Sequence, residues 1–345
     1  MIWESNIRED RMRALRRLPA ASTIFAAALF GILTATMPEQ AGAQMRIEVR
    51  PFETVTLTNQ QFLTGEKNGK PAMLAGELRI PTPGTDRLPA VVLIHGSGGA
   101  GALHERWLQE ITGIGVATFL VDSFSGRGIV STSNDQSQLD SVAMMIDAYR
   151  ALGLLAAHPR IDPNRIVVMG FSKGAVAAVY SSSQRFRNLY GPANVEFAAH
   201  VGLYTPCNVS YREETKVSGK PIRLFHGVAD DWVSIEPCRG YVARLKAAGA
   251  DAVLTEYPGA YHAYDRLQKE PEKYPQAQTT RHCLLAEGEG GAIVNTKTGM
   301  RYDLNTDACV ERGTTVASDE AATVGTTKTV KELLSTLPSG ALSKN

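Results

Sequence analysis

The chain has 345 residues, enough for one large α/β domain or two smaller ones. It holds 36 Lys and Arg against 35 Asp and Glu, and 43% of its residues are hydrophobic. These values exclude a long disordered chain and a polybasic protein that binds nucleic acid. We therefore expect a globular protein with no nucleic-acid partner, whose function depends on a localised site.

The first 43 residues have the order of a secretory signal peptide. An arginine-rich stretch over 11–17 precedes an uncharged, mostly apolar stretch over 20–37, and the small residues 41–43 follow. A retained membrane anchor is the alternative, because the apolar stretch approaches the roughly 20 residues that a spanning helix needs. The small residues favour cleavage before Gln44 over a retained anchor. We therefore predict an exported protein, periplasmic or secreted, that is not held in the membrane after cleavage.

The remaining chain alternates β-branched runs with helical stretches, which is typical of an α/β fold with a mostly parallel central sheet and helices on both faces. The first two strands are predicted to form an antiparallel pair joined by a glycine-rich turn region near 65–69. We predict strands over 47–57, 73–80, 90–94, 116–121, 166–169, 222–225 and 253–256. We predict helices over 104–112, 138–157, 174–184, 236–248 and 319–336, the last capped by Ser318.

Residues 265–315 differ from the rest of the chain. They are rich in Gly, Thr and charged residues and show no helical periodicity. We interpret them as an irregular excursion within a single domain over 44–345. The excursion is either a lid over a site or a surface decoration.

Four cysteines lie at positions 207, 238, 283 and 309. An exported protein meets oxidising conditions, so these residues are candidates for two disulfides. Three pairings are possible, and we favour the nearest-neighbour pairs, Cys207 with Cys238 and Cys283 with Cys309. The alternative is four buried free thiols, whereas a zinc site is disfavoured because no CxxC spacing occurs.

The sharpest motif is Gly170-Phe171-Ser172-Lys173-Gly174, a GxSxG directly after one predicted strand and directly before a predicted helix. In that context it predicts a nucleophile elbow, in which a strained turn exposes the serine hydroxyl at the carboxyl end of the sheet. Small residues two positions away on each side make the turn possible. Ser172 is therefore the candidate nucleophile.

A serine nucleophile needs a histidine to accept its proton. His262 lies in a loop late in the chain, just after a predicted strand, and is the candidate base. His95 ends a central strand and is interpreted as a loop brace. The remaining histidines have no supporting pattern.

The histidine in turn needs a carboxylate, expected on a loop between nucleophile and base. Asp230, in the HGxxD position of a stretch that ends a predicted strand, is our choice, and Asp231 is the alternative. The order Ser172, Asp230, His262 is typical of an α/β-hydrolase. For the oxyanion, the candidate donors are the backbone amides of Lys173 and Ser97, with Gly98 as the alternative to Ser97.

At these motifs the sequence resembles the dienelactone hydrolase family of the α/β-hydrolase superfamily. The matching stretches, LIHGSGG, VDSFSGRG, IDPNRIVVMGFSKGA, LFHGVADDW and YPGAYHAYD, lie within residues 88–265. The resemblance implies hydrolysis of esters or lactones through an acyl-enzyme, without a cofactor, with Ser172, Asp230 and His262 as nucleophile, acid and base. Founding members use cysteine as nucleophile, so the serine points to the family's serine-esterase relatives.

Three functional hypotheses follow. The first is an exported serine hydrolase acting on a small-molecule ester or lactone, with no metal and with an oligomeric state that the sequence does not indicate. The second is a peptidase or amidase, because the same three residues cleave amides. The third is a binding protein that kept the fold without turnover. Arg127 is interpreted either as a brace for its own loop or as a partner for an acidic substrate.

Overall fold

The computed structural model describes residues 45–337. The predicted signal peptide over 1–43 and its cleavage site before Gln44 lie outside the described residues. No helix between residues 45 and 337 combines the length and the apolar character that crossing a membrane requires.

The strands, in chain order, are β1 (Arg46–Thr56), β2 (Lys70–Ile80), β3 (Leu88–Ile94), β4 (Ala117–Asp122), β5 (Ile161–Phe171), β6 (Ala199–Leu203), β7 (Val209–Ser210), β8 (Ile222–Gly227), β9 (Ala252–Tyr257), β10 (Glu272–Thr279), β11 (Leu285–Glu287), β12 (Ile293–Asn295) and β13 (Glu311–Val316). The helices are α1 (Asn59–Thr64), α2 (Ala102–Thr112), α3 (Ser141–Ala156), α4 (Lys173–Tyr180), α5 (Gln184–Tyr190), α6 (Glu236–Ala247) and α7 (Glu320–Ser335).

Eight strands form the central sheet in the order β1-β2-β4-β3-β5-β6-β8-β9. The six from β4 to β9 in this order are parallel, whereas β2 runs antiparallel to both of its neighbours. This confirms the predicted α/β fold class. Because parallel strands end at the same edge, the loops after β3, β5, β8 and β9 meet there.

The sheet separates two hydrophobic layers. In β3, Ala90, Val92 and Ile94 belong to a hydrophobic cluster that also contains residues of α3, α4 and α6, whereas Val91 and Leu93 belong to a second cluster that contains residues of α2 and α7. All five residues are almost completely buried. A continuous apolar run is therefore required of a central strand covered on both faces.

Two predicted details of the helices were wrong. The helix over 174–184 is two helices, because Ser183 caps α5 by accepting a hydrogen bond from Phe186 N. The last helix is capped by Asp319, whose carboxylate accepts from Ala322 N at 2.9 Å, while Ser318 donates its hydroxyl to Lys269 O instead. The short helix α1, which was not predicted, lies between β1 and the predicted turn region near 65–69.

Residues 265–315 are less irregular than predicted. They contain β10, β11 and β12 and most of β13. The strands β10 and β13 form a two-stranded antiparallel sheet, and β11 joins β12 and β7 in a three-stranded sheet. These strands are very short or pair with strands that are distant in the sequence. The hydrophobic pattern of a short stretch of sequence therefore does not reveal them.

Candidate active site

Ser172 occupies the sharp turn between β5 and α4. Its φ of 51° lies in the left-handed region, which residues other than glycine rarely adopt. A Cβ atom added at Gly170 would lie 2.2 Å from the carbonyl oxygen of Gly174, and one added at Gly174 would lie 2.3 Å from that of Ile94. Both glycines are therefore needed for the backbone to pass through this turn.

His262 lies beside Ser172, in the loop that follows β9. Its Nε2 is 3.0 Å from Ser172 Oγ, and its Nδ1 is 2.7 Å from Asp230 Oδ2. The His262 side chain is almost completely buried between the rings of Tyr204 and Trp232, whose centroids are 4.7 and 5.0 Å away. The three predicted residues thus form one continuous chain of hydrogen bonds.

Asp230 follows β8, and four nitrogen atoms lie close to its carboxylate. Besides His262, the amides of Trp232 and Val233 donate to Oδ1 at 2.9 and 2.8 Å, and His226 Nε2 lies 3.4 Å from Oδ2. Burial by itself raises the pKa of the Asp230 carboxyl, but the two histidines outweigh it and hold that pKa well below its usual range. Asp230 is therefore a carboxylate at neutral pH.

Asp231, the alternative acid, contacts a different part of the molecule. Its Oδ1 accepts from the amide of Thr315, at 2.7 Å. The side chain that reaches His262 is that of Asp230.

Ser97 and Lys173, whose backbone amides are the predicted oxyanion donors, both border the cavity at Ser172. They are 7% and 5% exposed. Within residues 45–337, neither amide has an acceptor. Gly98 lies one residue further along the same loop, so the geometry keeps it as the alternative donor to Ser97.

Gln136 links the side chains of the two candidate donor residues. Its side-chain amide forms hydrogen bonds with Ser97 Oγ at 3.0 and 3.1 Å, and Lys173 Nζ donates to its carbonyl oxygen at 2.9 Å and to its Oε1 at 3.1 Å. Burial lowers the pKa of Lys173 to about 8. Sequence reasoning missed Gln136, which belongs to no motif.

Two further groups behind His262 were also missed. His226 is fully buried against Asp230, and its place in the HGxxD stretch was the signal that could have identified it. Asp265 is buried and accepts from Trp107 Nε1 at 2.6 Å and from Tyr204 Oη at 3.0 Å. It thereby holds the tyrosine that packs on His262.

His95 and Arg127 have structural partners. His95 contacts Gly96 O through Nδ1 and accepts from Ser123 N through Nε2, so it braces the loop as expected. Arg127 forms two hydrogen bonds with the buried carboxylate of Asp147, at 2.7 and 2.9 Å. The interpretation of Arg127 as a brace is the one that these contacts favour.

Two clefts meet at Ser172. The first, here called the His262 cleft, has a volume of about 320 Å³ and is lined by His262, Phe171, Tyr204 and Tyr274. The second, the Lys173 cleft, has a volume of about 160 Å³ and is lined by Lys173, Asn208, Tyr211, Gln278 and Tyr302. Ser97, Ser172 and Trp232 line both. Residues of the segment over 265–315 therefore form part of the wall of each cleft.

Two disulfides lie near this site. Cys207, in the loop after β6, is bonded to Cys238 in α6. Cys283 is bonded to Cys309 across the segment that contains β11 and β12. These are the nearest-neighbour pairs, and no free cysteine remains between residues 45 and 337.

Comparisons with known proteins identify the fold and the family of the chain. No curated protein matches the sequence significantly. Among solved structures, the chain is similar to a dienelactone hydrolase-like promiscuous phosphotriesterase, P91, from metagenomic libraries, with 16% identity, a TM-score of 0.54 and coverage of 86% of this chain and 99% of that one. It is similar to m3DLH, with 18% identity, a TM-score of 0.54 and coverage of 85% and 99%. At these identities the likeness shows the α/β-hydrolase fold.

The family model of the dienelactone hydrolase family matches residues 75–285, which is more than half of the chain and includes the loops of Ser97, Ser172, Asp230 and His262. The chain therefore belongs to the dienelactone hydrolase family and is a hydrolase that acts on ester bonds.

Proposed function

We propose that the protein is a serine hydrolase that cleaves small-molecule carboxylic esters or lactones through an acyl-enzyme on Ser172. The observation that carries this proposal is the hydrogen-bonded chain from Ser172 Oγ through His262 to Asp230, placed on a strained turn at the mouth of two clefts. Each member has the role that its chemistry allows: nucleophile, general base and carboxylate partner.

In the acylation step, His262 Nε2 accepts the Ser172 proton as Oγ attacks the substrate carbonyl. The imidazolium that forms is stabilised by Asp230, which also holds Nδ1 as the protonated nitrogen. The amides of Lys173 and Ser97 donate to the developing oxyanion, and such donors contribute typically about 3 kcal/mol each to catalysis. His262 then transfers its proton to the leaving alcohol oxygen.

Deacylation repeats the same proton transfers with water. His262 accepts a proton from the water molecule that attacks the acyl-enzyme and returns it to Ser172 Oγ as the acid leaves. Every proton transfer uses a side chain that is already in place, which accords with a mechanism that needs no cofactor.

The test is hydrolysis of p-nitrophenyl esters of graded acyl length, of a dienelactone and of a p-nitroanilide, with Ser172→Ala as the matched variant. We expect ester or lactone turnover in the wild type and a fall in kcat of about 10⁴-fold or more in the variant. Equal activity in the two proteins would contradict the mechanism. Turnover of the anilide in preference to every ester would favour a peptidase or amidase, and turnover of none of them would favour a binding role.

We propose further that the protein is exported, periplasmic or secreted. The disulfides Cys207–Cys238 and Cys283–Cys309 support this location, because disulfides persist in oxidising compartments. The signal-like order of the first 43 residues supports it independently.

A further inference from the structure

Gln136 joins the two residues whose backbone amides are the proposed oxyanion donors. Its side-chain Nε2 donates to Ser97 Oγ at 3.0 Å, and its Oε1 accepts from Lys173 Nζ at 3.1 Å. One planar amide group thus supplies the donor for one loop and the acceptor for the other. The bridge runs between the loop after β3 and the first residue of α4.

The buried ammonium group of Lys173 is held by the loop that carries Gln136. Besides Gln136 Oε1, its Nζ donates to Gln136 O at 2.9 Å and to Thr132 Oγ1 at 3.4 Å. Among the residues that the structure describes, these three atoms are its hydrogen-bond acceptors. An ammonium group has three N–H donors, so all of them are used within this loop. The Lys173 side chain therefore serves to fix the loop, not to bind a substrate anion.

The same loop holds the Ser97 backbone. Thr132 N donates to Ser97 O at 2.8 Å. Gln136 is fixed in turn, because its own backbone amide donates to Gln278 Oε1 on β10 at 2.8 Å. The bridging side chain is thus attached to a loop that is itself anchored on both sides.

Stabilisation of an oxyanion is sensitive to the position of its donors. A donor acts when its N–H group lies about 2.7 to 3.1 Å from the oxygen of the tetrahedral intermediate, and removal of one donor typically lowers kcat about 10²- to 10³-fold. Two donors must meet this distance together, so the spacing between them matters as well as their presence. A side chain that fixes this spacing affects the transition state more than the bound substrate.

Resting on the proposed function, we propose that Gln136 is a positioning residue for ester hydrolysis, which keeps the Ser97 and Lys173 amides at the spacing that an oxyanion requires. It acts through these two residues and contacts no member of the chain Ser172–His262–Asp230. Its loss should therefore lower kcat and leave KM nearly unchanged.

The first test is Gln136→Met, which keeps the length of the side chain and removes its N–H donors. With phenyl acetate, kcat should fall about tenfold and KM should change less than about twofold. A rise in KM at unchanged kcat would overturn the proposal, because Gln136 would then contribute to substrate binding instead.

Gln138→Met is the matched control. Gln138 lies in the same 3-10 helix and donates to Ser131 O and Asp135 O, so it supports the loop without contacting either donor residue. Its replacement should leave kcat and KM within about twofold of the wild type. Equal losses of kcat in the two variants would show that loop stability is the cause and would refute the positioning role.

The second test asks whether the loss occurs at the oxyanion. Phenyl acetate and O-phenyl thionoacetate differ in the oxygen or sulfur atom that takes up the negative charge, and sulfur accepts hydrogen bonds weakly. The ratio of kcat/KM for the oxygen ester to that for the thionoester should fall about fivefold in Gln136→Met and change less than about twofold in Gln138→Met. Both esters are measured on one preparation, so the folded fraction cancels. An unchanged ratio in Gln136→Met would overturn the proposal.

A double-variant cycle tests the route of action. Ser97→Ala keeps the backbone amide but removes the Oγ partner of Gln136, so adding Gln136→Met should lower kcat less than about threefold further. An undiminished loss of about tenfold would show that Gln136 does not act through Ser97. Ester turnover that persists in Ser172→Ala would refute the proposed function itself, whereas Ser172-dependent turnover with an unchanged ratio in Gln136→Met would refute the positioning role alone.

Discussion

Asp230 and Asp231 are adjacent in the chain but have separate partners. Asp230 holds His262 at 2.7 Å, whereas Asp231 accepts from the Thr315 amide on β13. In the sequence both aspartates follow the same predicted strand, so each was a candidate for the carboxylate that holds the histidine. The direction in which the loop turns decides between them.

The pair provides a matched test of the proposed acid. Asp230→Asn should lower kcat about 10⁴-fold with little change in KM, because an amide cannot stabilise the imidazolium and can hold the wrong tautomer. Asp231→Asn should leave kcat within a few-fold of the wild type, with a small loss of stability. Steady-state kinetics on one p-nitrophenyl ester measures both. Equal losses in the two variants would contradict the assignment.

Lys173 is a buried cation whose charge makes stability depend on pH. Burial lowers its pKa to about 8 in the folded chain, against about 10.4 for an unfolded lysine. Between these values the unfolded chain binds more protons than the folded chain, so the free energy of unfolding rises with pH. Below pH 8 both states are protonated and the full burial penalty is present.

Lys173→Met should remove this dependence. We would measure the free energy of unfolding of the wild type and of Lys173→Met with urea from pH 7 to 10.5. Over this range the wild type should gain about 3 kcal/mol of stability relative to the variant. Lys328→Met, at a lysine whose side chain is 74% exposed, is the control and should give a flat difference. A flat difference for Lys173→Met as well would refute the lowered pKa.

At the scale of elements, the strands with continuous apolar runs were predicted and β6 was missed. Its five residues are all buried, but they include His200 and Gly202, which interrupt the β-branched pattern. His200 is accommodated through contacts of its Nδ1 with Ser181 Oγ at 3.0 Å and Ala178 O at 2.9 Å. At Gly202 a Cβ atom would lie 2.4 Å from Thr205 Oγ1. Both features depend on neighbours that no local pattern contains.

The structure of the segment over 265–315 also depends on distant neighbours, which local sequence patterns do not contain. Its strands pair with β7 and with each other, and Gln278 connects it to the site by accepting from Gln136 N at 2.8 Å and donating to Leu304 O at 3.0 Å. From the sequence, a lid and a surface decoration were equally open. The residues that it adds to both clefts show that it forms part of the cleft walls.

At the scale of the whole molecule, the two disulfides contribute to stability. They close loops with sequence separations of 31 and 26 residues, and each contributes about 3 to 4 kcal/mol by restricting the unfolded chain. Reduction of the native protein should therefore lower its Tm and expose four thiols in the unfolded state. Calorimetry with thiol titration measures both.

Two double variants divide the effect between the bridges. One double variant carries Cys207→Ser and Cys238→Ser, and the other carries Cys283→Ser and Cys309→Ser. Each should have a lower Tm than the wild type, and reduction should then lower the Tm of each variant by less than it lowers that of the wild type. An unchanged Tm on reduction, with four thiols titrating in the folded wild type, would show that the cysteines are free.

The amino-acid sequence was enough to predict the central α/β architecture, the sharp turn at Ser172 and the histidine that follows β9, because the apolar runs and the glycines around Ser172 are local signals. It also indicated the family, through motifs in the loops after β3, β5, β8 and β9. The family match and the sheet order confirm the predicted family and the predicted fold class.

The folded chain was needed to show which aspartate reaches His262, that Gln136 joins the loops of Ser97 and Lys173, and that two clefts meet at Ser172. A turn or a buried strand is specified by residues a few positions apart, whose conformational preferences are local. A cleft wall is formed by side chains more than a hundred residues apart, such as Lys173 and Tyr302, and their meeting depends on the packing of the whole chain.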